Sequence, residues 1–313
     1  MKKISIILSL LLLSSILVFI SPVSAATHHI YPGDDIVTKV GAAASGDTIY
    51  IHAGTYYPNS QINIPASYIT IIGDSPFNTI IDATSSGGYG IYTDHEYVTI
   101  KNITLRNAPL DGVVIDNYGT IENCIAYANE YSGFEANSNC TLKNCLSYNN
   151  GGNGFSDEDF STYINCTSVN NGFFGFINED GGAKVINCIS VGNTLDGFYF
   201  GNSDPSEILY SNSWGNIGDD YDDTTKTASI SSDPKFITGR LGDYYLGYSS
   251  PCVDSGSDQS ITLGLYNGFT TRVDEKWDVG KVDMGFRYAS NRGPTGSIPI
   301  MKILEILKKN KNK

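Results

Sequence analysis

The chain has 313 residues, with 33 acidic and 20 basic side chains and a formal net charge of −13. A protein this acidic is not expected to bind nucleic acid, because phosphate binding requires a basic face. It would also repel polyanionic sugars unless a cation intervened. The length is enough for one elongated domain with an appendix.

The first 26 residues have the three parts of a secretory signal peptide. Met1-Lys2-Lys3 is basic, residues 4–20 are mostly apolar, and small residues follow up to Ala26. The alternative is an uncleaved membrane anchor, since the apolar stretch approaches the length that spans a bilayer. Pro22 and the small residues favour cleavage near Ala25 or Ala26. We therefore predict a signal peptide over 1–26 and a secreted or cell-surface protein.

Residues 27–48 are predicted to form an N-terminal cap. Between Asp34 and Ser45 the apolar residues have helical spacing, and Gly46-Asp47 ends the pattern: Ile36, Val37, Val40 and Ala44. An amphipathic helix over the end of a solenoid would cover its exposed edge and its first apolar layer.

A repeat of about 21 residues occupies positions 49–217. Three columns recur in phase: glycines before an apolar residue at 90, 112, 133, 154, 175 and 197, Asn-Cys pairs at 123, 144, 165 and 187, and asparagines at 129, 150, 171, 193 and 216. Short β-branched runs lie between them, and the Leu-x-x-Leu-x-Leu pattern of a leucine-rich repeat is absent. The repeat predicts short strands joined by tight turns, with successive coils stacked about 4.8 Å apart.

Stacking explains most of the repeated residues. The residue after each of these glycines is apolar and in most coils aromatic, and the aromatic rings would stack on one another in the core. Asparagine tolerates left-handed backbone, and its amide can bond to the asparagines above and below. Parallel cysteine side chains rarely meet the dihedral requirement of a disulfide, so the cysteine column is expected to hold buried free thiols.

The repeat decays after Asn216. Residues 218–290 are predicted to form terminal coils and a C-terminal cap, and residues 291–313 a basic tail. The tail either packs on the last coil as a helix or attaches the protein to an anionic membrane or wall.

Several stretches resemble the right-handed parallel β-helix repeat family of the pectin-lyase-like superfamily. The opening residues 46–56 and 68–73 are similar to that family's first coils, and residues 233–236, 250–256 and 282–288 to its terminal coils. The resemblance covers roughly residues 30–290 and implies the fold. It implies no single activity, because the family includes lyases, hydrolases, epimerases, adhesins and inert surface rods.

Lyases of this superfamily use aspartates that hold calcium and an arginine or lysine that removes a sugar proton. Acidic residues at matching places in two successive coils are candidate Ca²⁺ ligands by this resemblance: Asp157, Glu158, Asp159, Glu179 and Asp180. Stacking would bring their carboxylates together, and a hard cation would relieve the repulsion. The alternative is a solvated acidic turn.

Arg106 occupies the same coil position as Tyr127 and Tyr148, while Asp94 and Asp116 each lie four residues beyond a repeat glycine. These five residues are a candidate sugar-binding groove, with rings on sugar faces and the guanidinium on a carboxylate. The alternative is a side-chain ladder that merely covers the sheet. The sequence spacing of three histidines does not match a metal-ligand motif: His28, His29 and His52.

The predicted fold is all-β, a right-handed parallel β-helix with an N-terminal capping helix. The repeated residues have structural explanations and leave no compact catalytic constellation, which favours a non-catalytic role in carbohydrate binding, adhesion or structure. The alternative is a polysaccharide-active enzyme, either a pectate-lyase-like lyase or a glycoside hydrolase, with calcium dependence implied by the acidic rows. Both hypotheses make a polysaccharide or cell-surface glycan the expected partner.

Overall fold

A computed structural model describes residues 25–201, 206–221, 225–260, 262–263 and 268–291. The predicted signal peptide lies outside these residues except for Ala25 and Ala26, and the predicted tail does so except for Asn291. Within the described ranges, no helix is long and apolar enough to cross a membrane.

The chain forms a parallel β-helix whose coils contribute strands to three sheets. Sheet A has ten strands: Thr27–Ile30, Thr48–Ile51, Thr70–Gly73, Thr99–Lys101, Thr120–Glu122, Thr141–Lys143, Thr162–Ile164, Lys184–Ile186, Glu207–Leu209 and Thr225–Thr227. Sheet B has eight: Gly54–Tyr56, Thr79–Asp82, Thr104–Arg106, Ile125–Tyr127, Leu146–Tyr148, Thr167–Val169, Ile189–Val191 and Asn212–Trp214. Sheet C has seven: Ile62–Asn63, Ile91–Tyr92, Val113–Ile115, Phe134–Ala136, Phe155–Asp159, Phe176–Gly181 and Phe198–Phe200. The predicted all-β solenoid is confirmed.

The N-terminal end differs from the predicted cap in two ways. The helix α1 covers only Ile36–Gly41, with the Asp35 side chain accepting a hydrogen bond from the Thr38 backbone N–H and with Ile36 and Val40 buried in the core. Thr27–Ile30 is the first strand of sheet A instead of part of the cap. The backbone pairing of this strand and the burial of Ile30 explain why it joins the sheet.

The core contains the predicted aromatic stack. Phe134, Phe155, Phe176 and Phe198 are fully buried, with neighbouring ring centroids 4.7 to 5.3 Å apart. The glycines that precede these residues lie where the turn approaches the next coil. A Cβ atom at Gly154, for example, would lie 2.1 Å from the Ser168 hydroxyl oxygen, so this column must lack side chains.

The asparagine and cysteine columns also behave as predicted. At the corner between sheets A and B, the asparagines have left-handed backbone with φ between 51° and 59°: Asn102, Asn123, Asn144, Asn165 and Asn187. At the corner between sheets B and C, side-chain amides bond from coil to coil, as in the 2.9 Å bond from Asn129 Nδ2 to Asn150 Oδ1. All six cysteines are buried and free, which confirms the predicted thiols.

Residues 218–290, predicted to form terminal coils and a C-terminal cap, follow two different paths. Thr225–Thr227 extends sheet A, but the described residues between 236 and 289, called here the C-terminal segment, fold back over the outer face of sheet B. This segment contains two short antiparallel pairs, Phe236–Ile237 with Tyr245–Leu246 and Phe269–Thr270 with Tyr288–Ala289.

The outer face of sheet B explains this path. Its outward residues Ile125 and Leu146 are apolar, and Tyr245, Phe286 and Tyr288 of the C-terminal segment bury them. The corner asparagines hold the segment in register: Asn144 Oδ1 accepts a 2.7 Å hydrogen bond from the backbone N–H of Arg287. Sheet B is therefore an internal layer of the molecule, and its outer face is not available to a ligand along the covered coils.

Candidate functional site

Arg106, Tyr127 and Tyr148 form a column on sheet B, as their coil positions predicted. The Arg106 guanidinium donates to Asp82 Oδ2 at 2.9 Å and to the Tyr127 hydroxyl at 2.9 Å. The Tyr127 and Tyr148 rings stack at 4.8 Å, and Tyr244 of the C-terminal segment lies 5.2 Å from Tyr148. The column therefore has the features of the alternative interpretation, a ladder that covers the sheet.

The electrostatics of this column fit a structural role. Partial burial raises the pKa of Asp82, but hydrogen bonds from Thr84, Asn107 and Arg106 together hold it below its ordinary value. The paired charges of Asp82 and Arg106 thus satisfy each other in the folded protein.

Asp94 and Asp116 do not join this column. Both follow strands of sheet C, at the corner between sheets C and A, whereas Arg106 ends a strand of sheet B. Asp94 lies beside His95, and Asp116 accepts a 2.8 Å hydrogen bond from Asn137 Nδ2 in the next coil. The structure therefore does not assemble the five-residue groove that the sequence suggested.

The predicted calcium ligands are divided between two sides of sheet C. Asp157 faces the core, where it accepts 2.7 Å hydrogen bonds from the Tyr163 hydroxyl and from Asn178 Nδ2. The other four acids lie at the outer surface, where the strand register shifts: Glu158, Asp159, Glu179 and Asp180. Among the described residues, these acids do not form a set of three whose oxygens lie within 4.8 Å of one another.

The set that does meet this distance is Asp254, Asp278 and Asp283 in the C-terminal segment. Sequence analysis missed it because these residues lie outside the repeat. The buried Arg287 guanidinium bonds to Asp278, and the Thr271 hydroxyl bonds to Asp283. Burial and the charge of Asp278 raise the pKa of Asp283 to about 7. A cation here would compete with Arg287, which already supplies the positive charge.

The outer face of sheet C carries a different constellation, which sequence analysis also missed. From the second to the seventh strand of sheet C, one outward side chain per strand forms a row that we call the sheet C face: Tyr92, Val114, Glu135, Ser156, Ile177 and Tyr199. Asn63 of the first strand precedes this row. Glu135 is the one charged residue of the row. A column-by-column comparison of the coils could have revealed it, because it interrupts a row of apolar, aromatic and hydroxyl side chains.

Glu135 lies half-buried among other acids. Burial, together with the charges of Asp111, Glu179 and Glu158, raises the pKa of Glu135 to about 7. Asp111 is itself buried; its carboxylate accepts a 2.6 Å hydrogen bond from the Ser132 backbone N–H, and burial raises its pKa. A carboxyl group that holds a proton near neutral pH can donate it to a bound molecule.

Aromatic pairs lie toward both ends of the sheet C face. The Tyr89 and Tyr92 rings stack at 5.2 Å, and the Phe174 and Tyr199 rings stack at 4.8 Å. Tyr92 and Tyr199 are separated by five strand steps, or about 24 Å at the usual strand spacing. The face therefore combines stacked rings, a half-buried acid and a length that suits an extended ligand.

Residues 23–233 match the family model described as the Pel9A-like, right handed beta helix region. The chain belongs to the Pel9A-like right-handed β-helix family. The match covers the described coils, and it establishes the right hand of the solenoid as predicted. Members of this family and the related pectin-lyase-like proteins share the architecture that the sheets show.

Solved structures similar to this Pel9A-like chain include two lyases. Pectate lyase Pel9A is 15% identical, with a TM-score of 0.53 over 76% of this chain and 94% of that one. A rhamnogalacturonan lyase is also 15% identical, with a TM-score of 0.51 over 62% of this chain and 69% of that one. No curated protein sequence matches the chain significantly. At these identities the similarity establishes the fold alone.

Proposed function

We propose that this Pel9A-like protein binds a polysaccharide along the sheet C face. The observation that carries the proposal is the row itself, in which Tyr92 and Tyr199 stand on either side of a stretch that contains the half-buried acid Glu135. Rings stack on the apolar faces of sugars, while carboxyl and hydroxyl groups accept and donate hydrogen bonds to their hydroxyls. Sheet B is a weaker candidate, since the C-terminal segment covers much of it.

The structural relatives support a polysaccharide as the ligand class, because their names include lyases of pectate and rhamnogalacturonan. Their identities are too low to transfer a substrate. The acidic surroundings of Glu135 favour a neutral glycan over a polyuronate, since no basic side chain stands in the row to pair with a sugar carboxylate.

Glycan binding is tested with an array of neutral and acidic oligosaccharides. We expect Tyr92→Ala and Tyr199→Ala each to weaken binding about three- to tenfold, which corresponds to the free energy that an aromatic contact contributes. Tyr97→Ala is the matched control, because Tyr97 is also an exposed, stacked tyrosine but lies at the corner between sheets C and A. Equal losses in all three variants, or no binding by the wild type, would contradict the proposal.

A second candidate, glycoside hydrolysis at the same face, is favoured by the environment of Glu135. Glu158 stands one coil away and two residues further along the strand, so the two Cα atoms are about 8 Å apart by strand geometry. Glycosidases pair a protonated acid with a second carboxylate, the two carboxyl groups being about 5–9.5 Å apart, a separation that two glutamate side chains on Cα atoms this far apart can reach. Glu135 would donate the proton to the leaving oxygen, and Glu158 would act as the base or nucleophile.

Reducing-sugar release separates binding from hydrolysis. If the chain is a hydrolase, Glu135→Gln should lower kcat by about a hundredfold or more, since general acid catalysis contributes that much. Glu122→Gln is the control, because Glu122 pairs with Lys101 on sheet A, away from this face. A wild-type protein that binds a glycan without releasing sugar ends would exclude the second candidate and keep the first.

Export and attachment stay predictions from the sequence. We propose that residues 1–26 direct export, and N-terminal sequencing of the mature protein should then begin near Ala26 or Thr27. Deleting residues 294–313 and measuring surface retention tests attachment through the tail. Unchanged retention would exclude that role.

A further inference from the structure

Two histidines of successive coils meet at the N-terminal end of sheet A. His29 lies on the strand Thr27–Ile30, and His52 directly follows the strand Thr48–Ile51. Nδ1 of His29 and Nε2 of His52 are 3.0 Å apart, and the ring centroids are 5.2 Å apart. The positions 29 and 52 have no ligand spacing in the sequence, so the winding of the coil alone brings them together.

The separation of the rings is close to that of two imidazoles on one metal ion. Nitrogens bound to a tetrahedral zinc at about 2.0–2.1 Å would be about 3.3 Å apart, with ring centroids about 5 Å apart. The two nitrogens therefore need to separate by only a few tenths of an ångström. Because the His29 side chain is exposed, a small ring rotation can supply this change.

A carboxylate and an aromatic ring lie next to the His52 imidazole. Its Nδ1 lies 3.8 Å from Asp74 Oδ2. Asp74 is itself held by the Tyr50 hydroxyl at 2.7 Å and the Ala53 backbone N–H at 2.6 Å. At 3.8 Å Asp74 is not hydrogen-bonded to the ring. Its negative charge nevertheless favours a proton on Nδ1, which leaves the lone pair on Nε2. The Tyr31 ring stacks on His52 at 4.2 Å and restrains its plane.

The remaining two histidines have other partners. His28 Nε2 lies 2.8 Å from Asp47, and His95 Nε2 lies 3.8 Å from Asp94. Neither has a second imidazole within hydrogen-bonding distance among the contacts of the described residues. The arrangement at His29 and His52 is therefore particular to this end of the solenoid.

We propose that His29 and His52 together bind one zinc ion, or a similar late first-row divalent ion, with water completing the coordination and Asp74 as a positioning residue. The site is independent of glycan binding on sheet C. An ion here would link the first strand of sheet A, which pairs with a neighbour on one side only, to the following coil. Because the ion binds the folded chain, it would stabilise that end against unfolding.

Calorimetric titration of the metal-free full chain with zinc chloride tests the site. We expect one ion per chain, at least tenfold weaker binding in His29→Asn and in His52→Asn, and a smaller loss in Asp74→Asn. His95→Asn is the matched control and should bind zinc as the wild type does. Zinc should also raise the melting temperature of the wild type and of the control, but not that of His52→Asn.

Two results would overturn the assignment. One is the absence of zinc binding to a wild-type protein that is correctly folded by circular dichroism; the contact would then be a hydrogen bond between imidazoles only. The other is unchanged zinc affinity in both His29→Asn and His52→Asn. Both side chains are at the surface, so the variants should fold, and their metal-free melting curves verify that they do.

Discussion

Asp157 projects into the core of the solenoid, where the residue is 2% exposed. Tyr163 and Asn178 donate hydrogen bonds to it, but no positive charge is among the contacts that shift its pKa. Burial therefore outweighs these hydrogen bonds and raises the pKa of Asp157 to about 6. At neutral pH the folded protein carries an unneutralised charge in its interior.

The raised pKa of Asp157 makes its contribution to stability depend on pH. Below the pKa of an unfolded aspartate, about 3.9, the residue is neutral in both states. Between that value and about 6 the unfolded state ionises while the folded state keeps its proton, so the free energy of unfolding falls over this window and stays lower above it. Asp157→Asn should therefore increase the free energy of unfolding by about 2–3 kcal/mol at pH 7.5. The gain should vanish near pH 4. Urea unfolding of the wild type and of Asp157→Asn at both pH values measures this gain. An equal gain in the free energy of unfolding at pH 4 and pH 7.5 would refute the charge-burial explanation.

The Phe column inside the solenoid and the Tyr column on its surface have the same stacking but different burial. Phe155 lies between Phe134 and Phe176, with no exposed surface. Tyr97 lies between Tyr68 and Tyr118 with centroids 4.9 and 5.0 Å away, yet it is 40% exposed. Its φ of 60° is also costly for a residue other than glycine.

This contrast predicts unequal costs for equivalent truncations. Phe155→Ala should lower the free energy of unfolding by about 3–5 kcal/mol, because it removes a buried ring and leaves a cavity between two coils. Tyr97→Ala should cost about 1 kcal/mol, since it loses mainly the ring contacts. Chemical denaturation of the two variants measures the difference. Similar losses would show that stacking along the axis, rather than burial, dominates the stability of the columns.

The strands and turns within the repeat were predictable because each repeated column of residues has one physical cause. The glycines before Phe134 and Phe155, the left-handed asparagines and the buried thiols all follow from stacking. The C-terminal segment has no repeat, so its path over Ile125 and Leu146 depends on long-range apolar contacts that no local pattern encodes.

The candidate site was predicted less well, for two reasons. The sequence places Arg106, Tyr127 and Tyr148 in one column but does not show what covers them. Glu135 stands at an ordinary coil position, and its half-burial depends on the neighbouring turns. In both cases the missing information is the three-dimensional surroundings of the side chain.

The charge of the whole molecule bears on which glycans the sheet C face can bind. With a net charge of −13 and with Glu135, Asp111, Glu158 and Glu179 near one another, the face should repel a polyuronate at low ionic strength. Screening shortens the reach of this repulsion from about 30 Å at 0.01 M salt to about 8 Å at 0.15 M.

Salt should therefore strengthen the binding of acidic glycans and leave that of neutral ones unchanged. We expect polygalacturonate affinity to rise severalfold between 0.01 and about 0.15 M sodium chloride, in the absence of divalent ions. A neutral oligosaccharide bound at the same face should show little change, because it has no charge to screen. Affinity electrophoresis or calorimetry at the two salt concentrations measures both. Polygalacturonate binding that weakens with salt would mean that a basic surface outside the sheet C face captures the polymer, since attraction between opposite charges is what salt diminishes.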